Sequence, residues 1–243
     1  MIVGKKPWRV RRLLLDFLIR RLNDSSGGQI RDVQVGANDG VLDDPVYAAA
    51  SEFGWTGLLV EPVPIYFSRL QKLYADNPKM IMENVGVSDT AGMLKIYYLA
   101  EHAEQRFPEW VRGCASTDRQ RLVAAMDKFG AFDETDLASC EVPVCRLDQL
   151  LVQFGISEID LLVIDVEGHE LHVLDGADFD RIRPRMVVIE ANSDEASRRK
   201  IAHYLEEKDY LVGRIGDDLV GFSSAYPKID LSELLRLTGF HGL

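Results

Sequence analysis

Ile30-Arg31-Asp32-Val33-Gln34-Val35-Gly36-Ala37-Asn38-Asp39-Gly40 is an apolar-rich run that stops at a glycine. Ile30 to Val35 predicts a β-strand, and Gly36 and Gly40 predict a sharp turn whose backbone can approach a ligand closely. Asp43 to Phe53 follows with helix composition, and Pro45 sits in its first turn, where a missing N–H costs little. Strand, glycine turn and helix in this order open an α/β unit, and N–H groups at such a helix start can hold an anionic group. The glycine spacing is GxxxG, not the GxGxxG of dinucleotide binding.

The same alternation continues along the chain. Leu58 to Val60, Met80 to Met82, Ile159 to Ile164 and Met186 to Ile189 are short apolar runs of buried parallel-strand type. Between them, helices are expected over Pro64–Tyr74 (Ile65, Phe67, Leu70 and Leu73 inward), Leu147–Phe154, Glu170–Leu174 and Asp194–Lys208. Leu94 to Leu99 and Val142 to Val144 read as further strands. Tyr210–Ile215 and Leu219–Phe222 read as a terminal antiparallel hairpin, followed by a short helix over Asp230–Leu237. The pattern predicts an α/β fold with a mostly parallel sheet covered on both faces, and such sheets bind ligands at the carboxyl ends of their strands. Residues 29–243 are expected to form this domain. Residues 100–140 break the rhythm with a polar stretch, Pro108, Trp110 and a helix over Asp118–Phe129, and are expected to be an inserted lid.

Residues 1–28 read as a basic amphipathic helix and linker. Seven Lys and Arg stand against Asp16 alone over residues 1–22, and Trp8, Leu14, Leu15, Leu18 and Leu22 form one apolar stripe. That stripe packs either on the domain or on a second copy in a homodimer, or it lets residues 8–22 touch an anionic membrane surface. The whole chain carries 28 Lys+Arg against 39 Asp+Glu, a net charge of −11, which argues against a nucleic-acid binder. No apolar run is long enough to span a bilayer. Three scattered cysteines, Cys114, Cys140 and Cys145, form neither a disulfide framework nor a CxxC zinc site, so a reduced, cytoplasmic setting is expected.

The strand ends hold the chemistry. Glu61 follows the second strand, 21 residues past Gly40, where a carboxylate can accept both hydroxyls of a ribose. Asp165-Val166-Glu167-Gly168-His169-Glu170 places three carboxylates and a histidine directly after a wholly apolar strand, a costly density unless the groups are wet or used. His169 is suited to general base work, with Asp165 or Glu167 orienting the substrate or the cofactor. Glu190 and Asn192, after the next strand, are placed to face the same crevice. Asp165, Glu190 and Asn192 also offer oxygen ligands to a divalent cation, but their spacing is not diagnostic and no metal is predicted. In the 100–140 segment, Trp110 suits a sugar face, Arg112, Arg119 and Arg121 suit a phosphate or carboxylate, and Ser116 suits the mouth of the site. His172, one helical step beyond His169, is given no role.

Taken together and in order, the Gly36–Gly40 turn with Val35, Val60-Glu61-Pro62, Asn84-Val85-Gly86-Val87-Ser88, Arg146-Leu147-Asp148 and the 165–170 cluster resemble FkbM-type methyltransferases over about residues 30–222. The resemblance implies a Rossmann-like class I methyltransferase fold with a seven-stranded sheet, and S-adenosylmethionine as cofactor. It implies that Gly36, Ala37, Asn38, Asp39 and Gly40 hold the methionine end, that Glu61, with Pro62 beside it, holds the ribose, and that Asn84 and Val85 lie beside the adenine or ribose. Asp165 is then expected near the sulfonium and the acceptor. The acidic residue common two positions before the first glycine is replaced by Gln34, which can still accept a hydrogen bond from the cofactor's ammonium. The implied reaction is methyl transfer to a hydroxyl of a sugar, glycan or natural product. A nicotinamide-dependent oxidoreductase, a non-catalytic scaffold and a methyltransferase acting on protein or nucleic acid are the alternative readings.

Overall fold

The computed structural model describes residues 7–130, 132–192 and 194–225, with side chains from Arg12 onward. The expected 230–237 helix lies outside the described residues. Eight helices and ten strands follow one another: α1 (Pro7–Ser25), β1 (Arg31–Val35), α2 (Tyr47–Phe53), β2 (Thr56–Val60), α3 (Pro64–Leu73), β3 (Met80–Glu83), β4 (Gly86–Val87), β5 (Gly92–Leu99), α4 (Arg119–Asp127), β6 (Leu137–Cys145), α5 (Leu147–Gln153), β7 (Leu161–Ile164), α6 (Glu170–Asp175), α7 (Phe179–Ile182), β8 (Met186–Glu190), α8 (Glu195–Glu207), β9 (Tyr210–Ile215) and β10 (Asp218–Ser223). Seven of the strands form one sheet in the order β3-β2-β1-β7-β8-β10-β9. The first five of these are parallel, and β10 runs antiparallel to both β8 and β9. The chain winds outward from β1 to β3 and then returns to the other side of β1. That reversal leaves a crevice between the carboxyl ends of β1 and β7.

Strand alternation divides the apolar side chains between two layers. Val33, Val35, Leu58, Val60, Leu162 and Ile164 pack against α5, α6 and α8. Leu59, Leu161, Val163 and Val188 pack against α1, α2 and Leu70 of α3. Leu15, Leu18, Ile19 and Leu22 of α1 are buried in this second layer, and Asn23 accepts the indole N–H of buried Trp55 at 2.9 Å. Leu15, Leu18 and Leu22 of the stripe are therefore spent on the domain and Leu14 is half-buried, while the Trp8 side chain lies outside the described residues. Leu13 alone among the described apolar side chains of α1 stays exposed. No helix among the described residues is long and apolar enough to cross a membrane.

Two helices differ from expectation. Asp44 accepts the N–H groups of Val46 and Tyr47, so α2 begins at Tyr47 rather than Asp43. In α3 Leu70 is buried and Ile65 and Phe67 pack half-buried on the cores as expected, while Tyr66 and Tyr74 continue the buried row of Leu70 and Leu73 is exposed.

The strands over 94–99 and 142–144 do not join the main sheet. β4, β6 and β5 form a second, three-stranded sheet, in which β6 pairs antiparallel with β5 from Leu137 to Val144 and β4 runs parallel to β6. Between β5 and β6, two 3-10 turns (101–106 and 109–114) and α4 enclose a small core of Leu99, Ala103, Phe107, Val111, Leu122 and Met126. Val63 and Tyr66 of the main domain pack on Ile96, Val142 and Val144, which seats this lobe beside Glu61.

Candidate active site

The turn after β1 is built by backbone contacts. The N–H groups of Gly36 and Ala37 both donate to Val60 O, and Asp165 N donates to Val35 O at 2.9 Å. Gly36 has φ +87°, and a Cβ there would lie 1.8 Å from Asp165 O, so only glycine lets β1 and β7 close at this point. Glu61 is 4% exposed. Its Oε2 accepts from Asn38 N at 2.8 Å and its Oε1 from Val63 N at 2.7 Å. One lone pair on each oxygen remains for a ligand in the cavity that Glu61 lines, which fits a ribose diol. Burial outweighs these two hydrogen bonds and lifts the carboxyl from 4.5 to about 7.

Of the expected cofactor contacts, Gly36, Asn38, Glu61, Pro62, Val85 and Asp165 line this one cavity. Gln34 does not. It sits one strand position before Val35, so it faces the α1–α2 layer, where its amide donates to buried Asp32 at 2.7 Å. Ala37 is buried in that same layer, and Gly40 abuts Leu70 and Leu73 of α3. Asp39 caps the turn by accepting from Val41 and Leu42 and is held by Arg112. Asn84 is structural as well, donating to the carbonyls of Glu61 and Pro62.

On the other wall, Asp165, Glu167 and Glu190 bring carboxylate oxygens within 4.8 Å of one another. Burial first, then the charges of Glu190 and Glu167, raise the Asp165 carboxyl well above its ordinary range. Compensating donors come from protein: Arg121 donates to Glu167 at 2.9 Å, and Asn192 Nδ2 contacts both Glu167 and Glu190 at 3.2 Å. Asn192 thus orients the carboxylates here. A cation among the three acids would compete with Arg121 for Glu167.

His169 lines the cavity beside this cluster. Burial, then the neighbouring His172, lowers it from 6.5 to about 4, so it is a neutral imidazole at pH 7. Its Nε2 lies 3.0 Å from Ser88 Oγ, and its ring stacks on His172 with centroids 4.3 Å apart. His172, one helical step on, does not line the cavity but packs against the His169 ring.

The lobe closes the third side. Trp110 is 38% exposed on the cavity rim and meets Phe129 edge-on at 5.6 Å. Ser116 is buried in the wall and donates to Glu167 O at 2.7 Å. The arginines expected to meet an anionic acceptor are all engaged by carboxylates: Arg112 with Asp39, Arg119 with Glu134, and Arg121 with Glu167. None of the three lines the cavity. Arg112 and Arg121 instead tie the lobe to the turns after β1 and β7. Two wall residues escaped the sequence reading. Tyr66 is fully buried, lines the cavity and has a hydroxyl without a hydrogen-bond partner; its signal was the 66–70–74 row. Cys114 also lines the wall, and burial pushes its thiol up to about 12, so it stays an uncharged thiol.

A sequence model described as the methyltransferase FkbM domain matches residues 34–212. A protein described as methyltransferase sdnD from Sordaria araneosa is 28% identical over 179 residues, covering 65% of this chain and 65% of that protein. The solved structure of methyltransferase FkbM from Methylobacillus flagellatus KT superposes with a TM-score of 0.51 at 16% identity, covering 80% of this chain and 44% of that one. The precorrin-6y C5,15-methyltransferase of Geobacter metallireducens GS-15 covers 92% of this chain and 91% of its own at 13% identity, with a TM-score of 0.44. The chain therefore spans less than two thirds of the length of the first two relatives. The structural likenesses are likenesses of fold.

Proposed function

The chain belongs to the methyltransferase FkbM family, and from that premise we propose that it is an S-adenosylmethionine-dependent O-methyltransferase whose acceptor is a hydroxyl of a sugar, glycan or natural product. Family membership sets aside the nicotinamide-dependent alternative. The observation that carries the proposal is a single cavity lined by Glu61, His169, Asp165 and Glu190 together. When bound, S-adenosylmethionine supplies an electrophilic methyl on a sulfonium sulfur. The two free lone pairs of Glu61 would accept the ribose hydroxyls, and Gly36 and Asn38 of the turn after β1 would receive the methionine end. Asp165 and Glu190 face the acceptor hydroxyl and orient its oxygen toward the methyl. As the oxygen took the methyl, whose bond to sulfur would break and leave neutral S-adenosylhomocysteine, the hydroxyl proton would pass to the neutral imidazole of His169. Trp110, with Phe129 behind it, offers a flat apolar face to the acceptor's body.

Calorimetric titration with S-adenosylmethionine and, separately, with NAD tests the cofactor. Micromolar binding of S-adenosylmethionine that is lost in Glu61→Ala is expected; binding of NAD alone overturns the reading. An acceptor panel of sugars and hydroxylated natural products follows, with methyl transfer read by mass spectrometry. His169→Ala with unchanged turnover removes His169 from the role of base.

A further inference from the structure

Ser88, the last residue of the 84–88 motif, and Asp89 lie outside the cavity, at the end of β4 in the lobe, and the chemistry above uses neither. Ser88 is buried, and its Oγ makes two contacts: 3.0 Å to His169 Nε2 and 3.1 Å to Asp89 Oδ1. Its position is fixed from both sides. Ser88 N donates to Cys145 O at 2.9 Å, and a Cβ on Gly176, at the end of α6, would lie 2.1 Å from Ser88 O. The end of β4 therefore rests directly on the helix that begins at His169.

A serine hydroxyl has one hydrogen to give. Asp89 is held below the usual carboxylate range, first by the Ser88 hydrogen bond and also by His172, so it is ionised and can only accept. The Ser88 hydrogen is therefore spent on Asp89, and the hydrogen of the His169–Ser88 contact belongs to Nε2. Nδ1 is left as the ring nitrogen with a free lone pair, the one that can take a proton.

We infer that Ser88 and Asp89 are positioning residues for His169, fixing the Nε2–H tautomer and extending the charge of an outer carboxylate to the ring through one hydroxyl. The inference rests on the reading of His169 as the base. It supplies what that reading lacks, because a half-buried imidazole is a poor proton acceptor unless its cationic form is stabilised from behind. The charged groups around the ring come from four places in the fold. His172 on α6 stacks on it and opposes the imidazolium, while Asp89 after β4 favours it. Arg146, before α5, donates to Asp89 O at 2.8 Å and steadies the loop, and Glu167 lies two residues before His169 in the cavity wall. His172 Nδ1 sits 3.5 Å from Asp89 Oδ2, so the two histidines share one carboxylate.

The test needs no acceptor. Long-range proton–nitrogen spectra of the full-length, nitrogen-15-labelled protein report the tautomer of each imidazole, and the His169 signals are those lost in His169→Ala. The wild type is expected to hold the Nε2–H tautomer. Ser88→Ala is expected to lower the ratio of Nε2–H to Nδ1–H by about two- to tenfold, the worth of one hydrogen bond. Asp89→Asn, isosteric at a part-exposed site, is expected to move the His169 titration to lower pH, and it carries the test if Ser88→Ala does not fold. His172→Gln is expected to leave the tautomer as in the wild type. An Nδ1–H tautomer in the wild type overturns the inference. So do wild-type spectra in both Ser88→Ala and Asp89→Asn, or a tautomer change in His172→Gln equal to that in Ser88→Ala. The two readings fail separately: full turnover by His169→Ala removes the base and leaves this tautomer geometry standing, whereas unchanged spectra remove Ser88 and Asp89 and leave His169 as the base.

Discussion

Replacing Gly36 by alanine tests the most constrained point of the site. The new Cβ would lie 1.8 Å from Asp165 O, and an ordinary carbon contact needs about 3.5 Å, so one backbone must retreat by roughly 1.7 Å. The retreat stretches the Asp165 N–H to Val35 O hydrogen bond, now 2.9 Å, beyond its useful range. Losing a buried backbone bond costs about 1–3 kcal/mol, and holding alanine at φ +87° adds about 1–2. The sum is roughly 2–5 kcal/mol, or about 4–20 °C in Tm for a chain of this size. The assay is thermal unfolding by circular dichroism, with calorimetric titration of S-adenosylmethionine on the same samples. Gly92→Ala is the control, because its Cβ meets nothing within 4 Å and its φ is not in the left-handed region; its Tm is expected to stay within about 2 °C. The reasoning is refuted if Gly36→Ala unfolds with the wild type and binds the cofactor equally well. In that case the close approach of β1 to β7 is not what the glycine provides.

Other substitutions probe the remaining walls. Glu61 binds its proton up to about pH 7 when folded, against 4.5 ordinarily, so the folded state holds the extra proton and stability falls as pH rises through 7. Between pH 6.5 and 8 the cofactor-free protein should lose about 1 kcal/mol more by urea denaturation than Glu61→Gln does, and equal slopes would contradict the burial argument. Arg121→Ala leaves Glu167 in the wall without its cation and should lower stability by about 2 kcal/mol, with an unchanged midpoint in denaturant as the opposing result. Ile19→Ala, at a fully buried position of α1, should cost about 2–4 kcal/mol; a wild-type Tm would mean that α1 is not part of the core.

The strands of the main sheet were legible because buried parallel strands read as unbroken apolar runs, and the chemistry at their ends was legible because charge there has no structural excuse. Glu61 and the 165–170 cluster were found by that rule. Partner choice was not legible. Nothing in Leu94–Leu99 says that it pairs with Leu137–Val142 rather than with the main sheet, and the first half of β6 is too exposed to announce itself as a strand. Charge alone also misled. Arg112, Arg119 and Arg121 look like anion ligands in sequence, and only their positions reveal the acids that hold them. Ser88, though inside a family motif, and His172 were given no role because their meaning depends on β4 landing against α6. Gln34 shows the opposite case: strand period 2 already placed it on the face away from Val35, and the family pattern drew attention to it regardless.

The lobe leaves the domain and returns to it at adjoining points, since Gly86 pairs with Val144 and Val87 with Cys145. A segment whose two ends are already side by side can be lengthened, shortened or exchanged with almost no demand on the spacing of the strands that flank it. On the proposed reading, the walls assigned to the cofactor and the lobe assigned to the acceptor are thus separable cassettes on one chain, with the Arg112–Asp39 and Arg121–Glu167 pairs as the fasteners. A transplanted lobe that keeps those two arginines and the register at residues 86–87 is then expected to carry a new acceptor preference onto an unaltered transfer site.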